Sequence, residues 1–182
     1  TLAPEASLVE IVAECRRAVG WLYEHAGYLG VDRRRIVVAG SSAGAHLAAM
    51  VAMPGWQPAA GLPGDLVAST VLMSGVFDLE PLVGTAIAEP LCLTDQDVAG
   101  LSPGRLPLEG FPPSVICWGQ VETDEFKAQS RMFAGRLAAT GTEVSSFEVV
   151  GRNHFDVVFG LADPGSQIGR QVLSILGQPK EA

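Results

Sequence analysis

A serine hydroxyl attacks a carbonyl only when a base takes its proton, and an imidazole serves as that base best when a carboxylate holds its tautomer. Three residues far apart in this chain have the types and the placing for that chemistry: Ser42, Glu122 and His154. Ser42 sits in Gly40-Ser41-Ser42-Ala43-Gly44, a Gly-x-Ser-x-Gly pattern. In a chain with 21 glycines that pattern arises by chance at roughly 0.16 occurrences, so context must supply the specificity. It does so here. The β-branched run Ile36-Val37-Val38 leads straight into the turn, and residues 45–52 after it are helix-compatible. Gly40 and Gly44 are expected to flank Ser42 where strand and helix approach too closely for a Cβ.

In the serine-turn architecture the partners follow in the order Ser, acid, His, each after a strand at the carboxyl edge of a sheet. His154 lies in Gly151-Arg152-Asn153-His154-Phe155, beyond a predicted strand. His25 falls within a helix and His46 one turn into the helix after Ser42, so both are read as structural. The acid comes from residues 119–126, where Glu122, Asp124 and Glu125 are all within reach. Thr123 or Asp124 suits the cap of a helix starting near Glu125, which leaves Glu122 nearest the strand end. Asp124 remains the alternative, with Asp78 and Asp156 weaker ones.

Those residues need a scaffold. Apolar spacing predicts a helix over 7–28, with Ser7 as its N-cap, then strands over 35–39, 67–74, 114–118 and 143–150. Helices are predicted after the serine turn to about Met53, over 125–139, and over 155–161 and 167–176. This alternation predicts an α/β fold, a three-layer α/β/α domain over 1–182 around a mainly parallel sheet. Residues 78–113, rich in Pro, Gly and Leu, form an irregular insertion expected to cover a pocket. Ser41, Phe77, Trp118 and Phe155, together with Phe126, are expected near strand ends, bordering an aromatic-friendly substrate pocket.

A net charge of -8 argues against a nucleic-acid partner, because such binding normally needs a concentrated basic face. Arg33-Arg34-Arg35 reads as a solvated loop. Cys15, Cys92 and Cys117 are odd in number, with no metal-ligand spacing, which fits reduced thiols in a cytoplasmic protein. No apolar run reaches membrane-spanning length, so no membrane partner is expected. No metal or organic cofactor is expected.

The serine turn in residues 39–47, the run 119–126 followed by Gln129-Ser130, and Arg152-Asn153-His154-Phe155 together resemble the α/β-hydrolase superfamily. Within it, they resemble carboxylesterases related to kynurenine formamidase. The resemblance implies Ser42 as nucleophile, Glu122 at a position often held by Asp, and His154 as base. It also implies the Ala43 amide as an oxyanion donor and a small ester or aryl formamide as substrate. A glycine-rich His-Gly-Gly segment, the usual source of a second donor, is absent from these residues. Thr1-Leu2-Ala3-Pro4-Glu5 resembles the segment after the family's fourth strand, so a companion N-terminal segment or chain is expected to complete the sheet. A homodimer is also compatible. The rival classes are a non-catalytic binding module of the same fold and a nucleotide-binding α/β domain, the latter disfavoured because residues 40–44 lack a P-loop Lys.

Overall fold

The computed structural model of the protein describes residues 1–177. Helix α1 (Leu8–Leu29) starts at Ser7, whose hydroxyl accepts from the Glu10 N–H while the Glu10 carboxylate accepts from the Ser7 N–H. Gly30 ends it in the left-handed conformation that glycine adopts most readily. Four strands follow: β1 (Val37–Ser41), β2 (Ser69–Met73), β3 (Ser114–Val121) and β4 (Val144–Asn153). They lie side by side in chain order, and every pairing is parallel. The remaining helices are α2 (Ala43–Ala52), α3 (Asp95–Leu101), α4 (Asp124–Ala139) and α5 (Gln167–Gly177).

Alternation along the strands divides the core into the three layers expected. Leu72 and Ile116 pack with Val12 of α1, Met50 of α2, and Phe133 and Leu137 of α4. Their neighbours Val71, Met73, Val115 and Cys117 pack with Ile168, on α5. Every residue of β2 is buried, as expected where residues 67–74 are apolar along most of their length. Full burial of each large aliphatic or aromatic side chain contributes about 1.5–3 kcal/mol.

The strands extend further at their carboxyl ends than apolar spacing predicts: β1 runs to Ser41, β3 to Val121 and β4 to Asn153. Those extensions are held by backbone pairing, Ser41 with Met73 and Val121 with Asn153, and their polar residues carry no apolar signal. Residues 78–113 are irregular as expected, with short 3₁₀ turns and α3. The insertion packs on α1, α2 and α4. His46 Nε2 bonds to the Leu101 carbonyl at 2.7 Å, and Arg136 donates to the carbonyls of Gly104 and Leu106. A cavity of about 570 Å³ among Val83, Thr85, Glu89 and Leu93 includes none of Ser42, Glu122 or His154. The segment's anchors lie on the helical layer.

Candidate active site

Ser42 stands between β1 and α2 with φ 57° and ψ -121°, a strained conformation for a residue with a side chain. The reason is a sharp turn from strand into helix. A Cβ on Gly40 would lie 2.1 Å from the Gly44 carbonyl oxygen, so strand and helix touch backbone to backbone there. Gly44 differs from expectation: a Cβ on it would meet nothing within 4 Å. The crowding is at Gly40 alone. Ala43 opens α2, where N–H groups have no intrahelical acceptor and the helix end carries partial positive charge.

Glu122 and His154 are brought together by strand register. Val121 pairs with Asn153 past a bulge at which β4 carries the extra residues, so the residues that follow the two strand ends are Glu122 and His154. A second device fixes the turn after β4. Asn153 N–H donates to Asp156 Oδ1 at 2.6 Å, and Asn153 Oδ1 accepts from Phe155 N–H at 2.8 Å. A Cβ on Gly119 would lie 2.5 Å from the Arg152 carbonyl oxygen, so glycine permits the close approach of these two strand ends.

The result is a continuous polar chain. With the ring proton on Nδ1, His154 donates to Glu122 Oε2 at 3.2 Å, and Nε2 accepts from the Ser42 hydroxyl at 2.9 Å. The Glu122 side chain is wholly buried, whereas that of His154 is 19% exposed. Glu122 Oε1 accepts from Gly119 N–H and from the Ser74 hydroxyl, each at 2.5 Å. Such an arrangement can deprotonate a serine as it attacks and stabilise the imidazolium that results.

Ser42, Glu122 and His154 are therefore adjacent in space, and the rival acids lie elsewhere. Asp124 is exposed in the first turn of α4, Asp78 pairs with Arg105 at 2.8 Å, and Asp156 is engaged by Asn153. Thr123 is the N-cap of α4 but makes no side-chain cap bond. The other histidines are structural. His25 Nδ1 contacts the Trp21 carbonyl oxygen at 2.8 Å, while His46 is buried, which holds its pKa below the ordinary 6.5. Burial also pushes the Cys117 thiol up to about 12, which makes it a poor competing nucleophile.

Two of the residues expected to border a pocket face the interior. Phe77 has no exposed surface and stacks on Phe133 with ring centroids 4.2 Å apart, so it is core. Trp118 is almost fully buried, donates to Glu148 at 3.2 Å and lies under the Arg131 guanidinium. Sequence position alone cannot tell such inward-facing aromatics from rim residues. Phe155, 84% exposed, stands edge-on to the His154 ring, and Phe126 lies 4.1 Å from it. Ser41 is half-buried at the end of β1. Sequence reasoning missed Ser74; its signal was a hydroxyl residue closing a buried apolar strand, next to Gly75. Among the described residues, no group of three or more potential ligands could hold a metal ion.

A family model described as alpha/beta hydrolase fold matches residues 1–157. A kynurenine formamidase of Danio rerio is 28% identical over 183 residues, covering 98% of this chain and 60% of the relative. A carboxylesterase of Mycobacterium tuberculosis is 27% identical, covering 91% of this chain and 57% of the relative. Among solved structures, the thermostable carboxylesterase EstE1 from a metagenomic library superposes with a TM-score of 0.74 at 26% identity, covering 98% of this chain and 67% of that one. The esterase of Pyrobaculum calidifontis gives a TM-score of 0.79 at 23% identity, over 97% of this chain and 64% of that one, a likeness of fold. The chain spans about 60% of the length of the kynurenine formamidases it matches.

Proposed function

We propose a serine-hydrolase function from the premise that this chain belongs to the alpha/beta hydrolase fold family. The proposed substrate is a small carboxylic ester or an aryl formamide, in line with the esterase and kynurenine formamidase relatives. The observation that carries the reading is the unbroken contact from Ser42 Oγ through the His154 ring to Glu122.

In the proposed mechanism, His154 Nε2 accepts the Ser42 proton as Oγ bonds to the carbonyl carbon. The carboxylate of Glu122 stabilises the imidazolium, and the Ala43 N–H donates to the developing oxyanion. The imidazolium then protonates the leaving alcohol or amine, and an acyl-enzyme remains on Ser42. Water, deprotonated by His154, attacks that ester, and the acid is released with Ser42 restored.

A second oxyanion donor belongs to the same proposal. Among the described residues β1 pairs only with β2, and its other edge is free. We place a companion segment or chain on that edge, where it both pairs with β1 and supplies the donor; a missing donor typically costs about 10²- to 10³-fold in rate. No described helix is long and apolar enough to cross a membrane. The three free thiols suit a cytoplasmic setting.

The test is fluorophosphonate labelling of the whole protein, with turnover of N-formylkynurenine compared with short-chain aryl esters. An adduct on Ser42, lost in Ser42→Ala, is the expected result. Absence of any adduct refutes catalysis and leaves a binding module of the same fold.

A further inference from the structure

The end of β2 touches both halves of the site. The Met73 carbonyl accepts from the Ser42 N–H at 2.9 Å, and the next amide, that of Ser74, donates to the Cys117 carbonyl of β3 at 2.8 Å. One dipeptide thus ties the turn that bears the nucleophile to the strand that leads to the acid.

Ser74 is wholly buried and has φ 48°, a left-handed conformation uncommon for any residue with a Cβ. Glycine would hold that backbone with less strain. What serine adds is a hydroxyl, and it is donated to Glu122 Oε1 at 2.5 Å beside the Gly119 N–H. With Oε1 held by two donors, Oε2 is the oxygen presented to His154 Nδ1. Rotating the carboxylate would break both bonds to a charged acceptor in a buried place, which is why a single orientation is kept.

We infer that Ser74 is a positioning residue, whose hydroxyl fixes the Glu122 carboxylate so that His154 is held in the tautomer that faces Ser42. This inference rests on the hydrolase reading above. It predicts a cost in the chemical step and none in substrate binding, because Ser74 reaches the reacting atoms only through Glu122 and His154.

The test pairs Ser74→Gly with Ser74→Ala in the whole protein. Glycine relieves the backbone and alanine does not, but both remove the hydroxyl. The expected result is a fall in kcat of about 10- to 100-fold in both, the usual effect of losing one hydrogen bond to a charged group, with KM unchanged. The melting temperature of Ser74→Gly should exceed that of Ser74→Ala, because only glycine relieves the positive φ. Near-parental kcat in Ser74→Gly overturns the inference, as does a loss of activity that follows melting temperature across the two variants. Failure of the hydrolase reading itself looks different: the parent then shows no turnover, or Ser42→Ala retains it, whatever Ser74 does.

Discussion

The two rims of the same sheet are built differently. At the carboxyl rim, Ser42 and Ser74 hold left-handed backbone, Gly40 and Gly119 permit contacts of backbone on backbone, and the polar groups of Ser42, Ser74, Glu122 and His154 converge. At the amino rim lies a cavity of about 170 Å³ bordered by Arg34, Arg35, Ser69, Glu143 and Gln171. Arg34 and Arg35 are exposed there, and Arg34 pairs with Asp32 across 3.3 Å in solvent. A void marks where side chains fail to fill space; chemistry requires strain and burial that hold groups in one geometry.

The comparison breaks if the carboxyl rim proves dispensable. Ser42→Ala or His154→Ala should lower kcat by about 10⁶-fold with the fold intact, measured by ester turnover and circular dichroism. Glu122→Gln should lower kcat by about 10⁴-fold, because the amide cannot hold the same histidine tautomer. Asp124→Asn, two residues on and exposed, should stay within about twofold, and the reverse order would move the acid to Asp124.

Stability sharpens the same contrast. Gly40→Ala drives a Cβ onto the Gly44 carbonyl and should cost about 1–3 kcal/mol in denaturant unfolding. Gly44→Ala meets open space and should be neutral or stabilising by up to about 1 kcal/mol, as alanine replaces glycine in a helix. His46 supplies a pH test. Burial lowers its folded-state pKa, so the unfolded chain binds the proton more readily below about 6.5. Its contribution is fully present above that pH and is lost as pH falls toward the lower folded value. Unfolding midpoints should therefore drop on acidification, less steeply in His46→Gln. The smallest effect belongs to the amino rim, where Arg35→Ala and Glu143→Gln should leave kcat within about twofold.

Much of the carboxyl rim was legible along the chain because its constraints are local. A strand, a tight turn and a helix in succession leave Ser42 few places to be, and the strand–helix alternation sets the layers. The reciprocal bond between Ser7 and Glu10 was half legible too, in the Ser7 cap. Aromatic facing was not legible: Phe77 and Phe155 both follow strands, yet one is core and the other is 84% exposed. A side chain's direction at a strand end depends on loop dihedrals, which no residue type specifies.

The amino-acid order by itself determined the parallel α/β layering, the serine turn and the succession of Ser42, Glu122 and His154, because backbone sterics and apolar periodicity act between near neighbours. Tertiary structure decided which carboxylate meets His154. It did so through the pairing of Val121 with Asn153 and the arrival of the Ser74 hydroxyl at Glu122 from another strand. Hydrogen bonds reach only about 3 Å, so partners 48 and 32 residues apart are chosen by register and packing rather than by position in the chain.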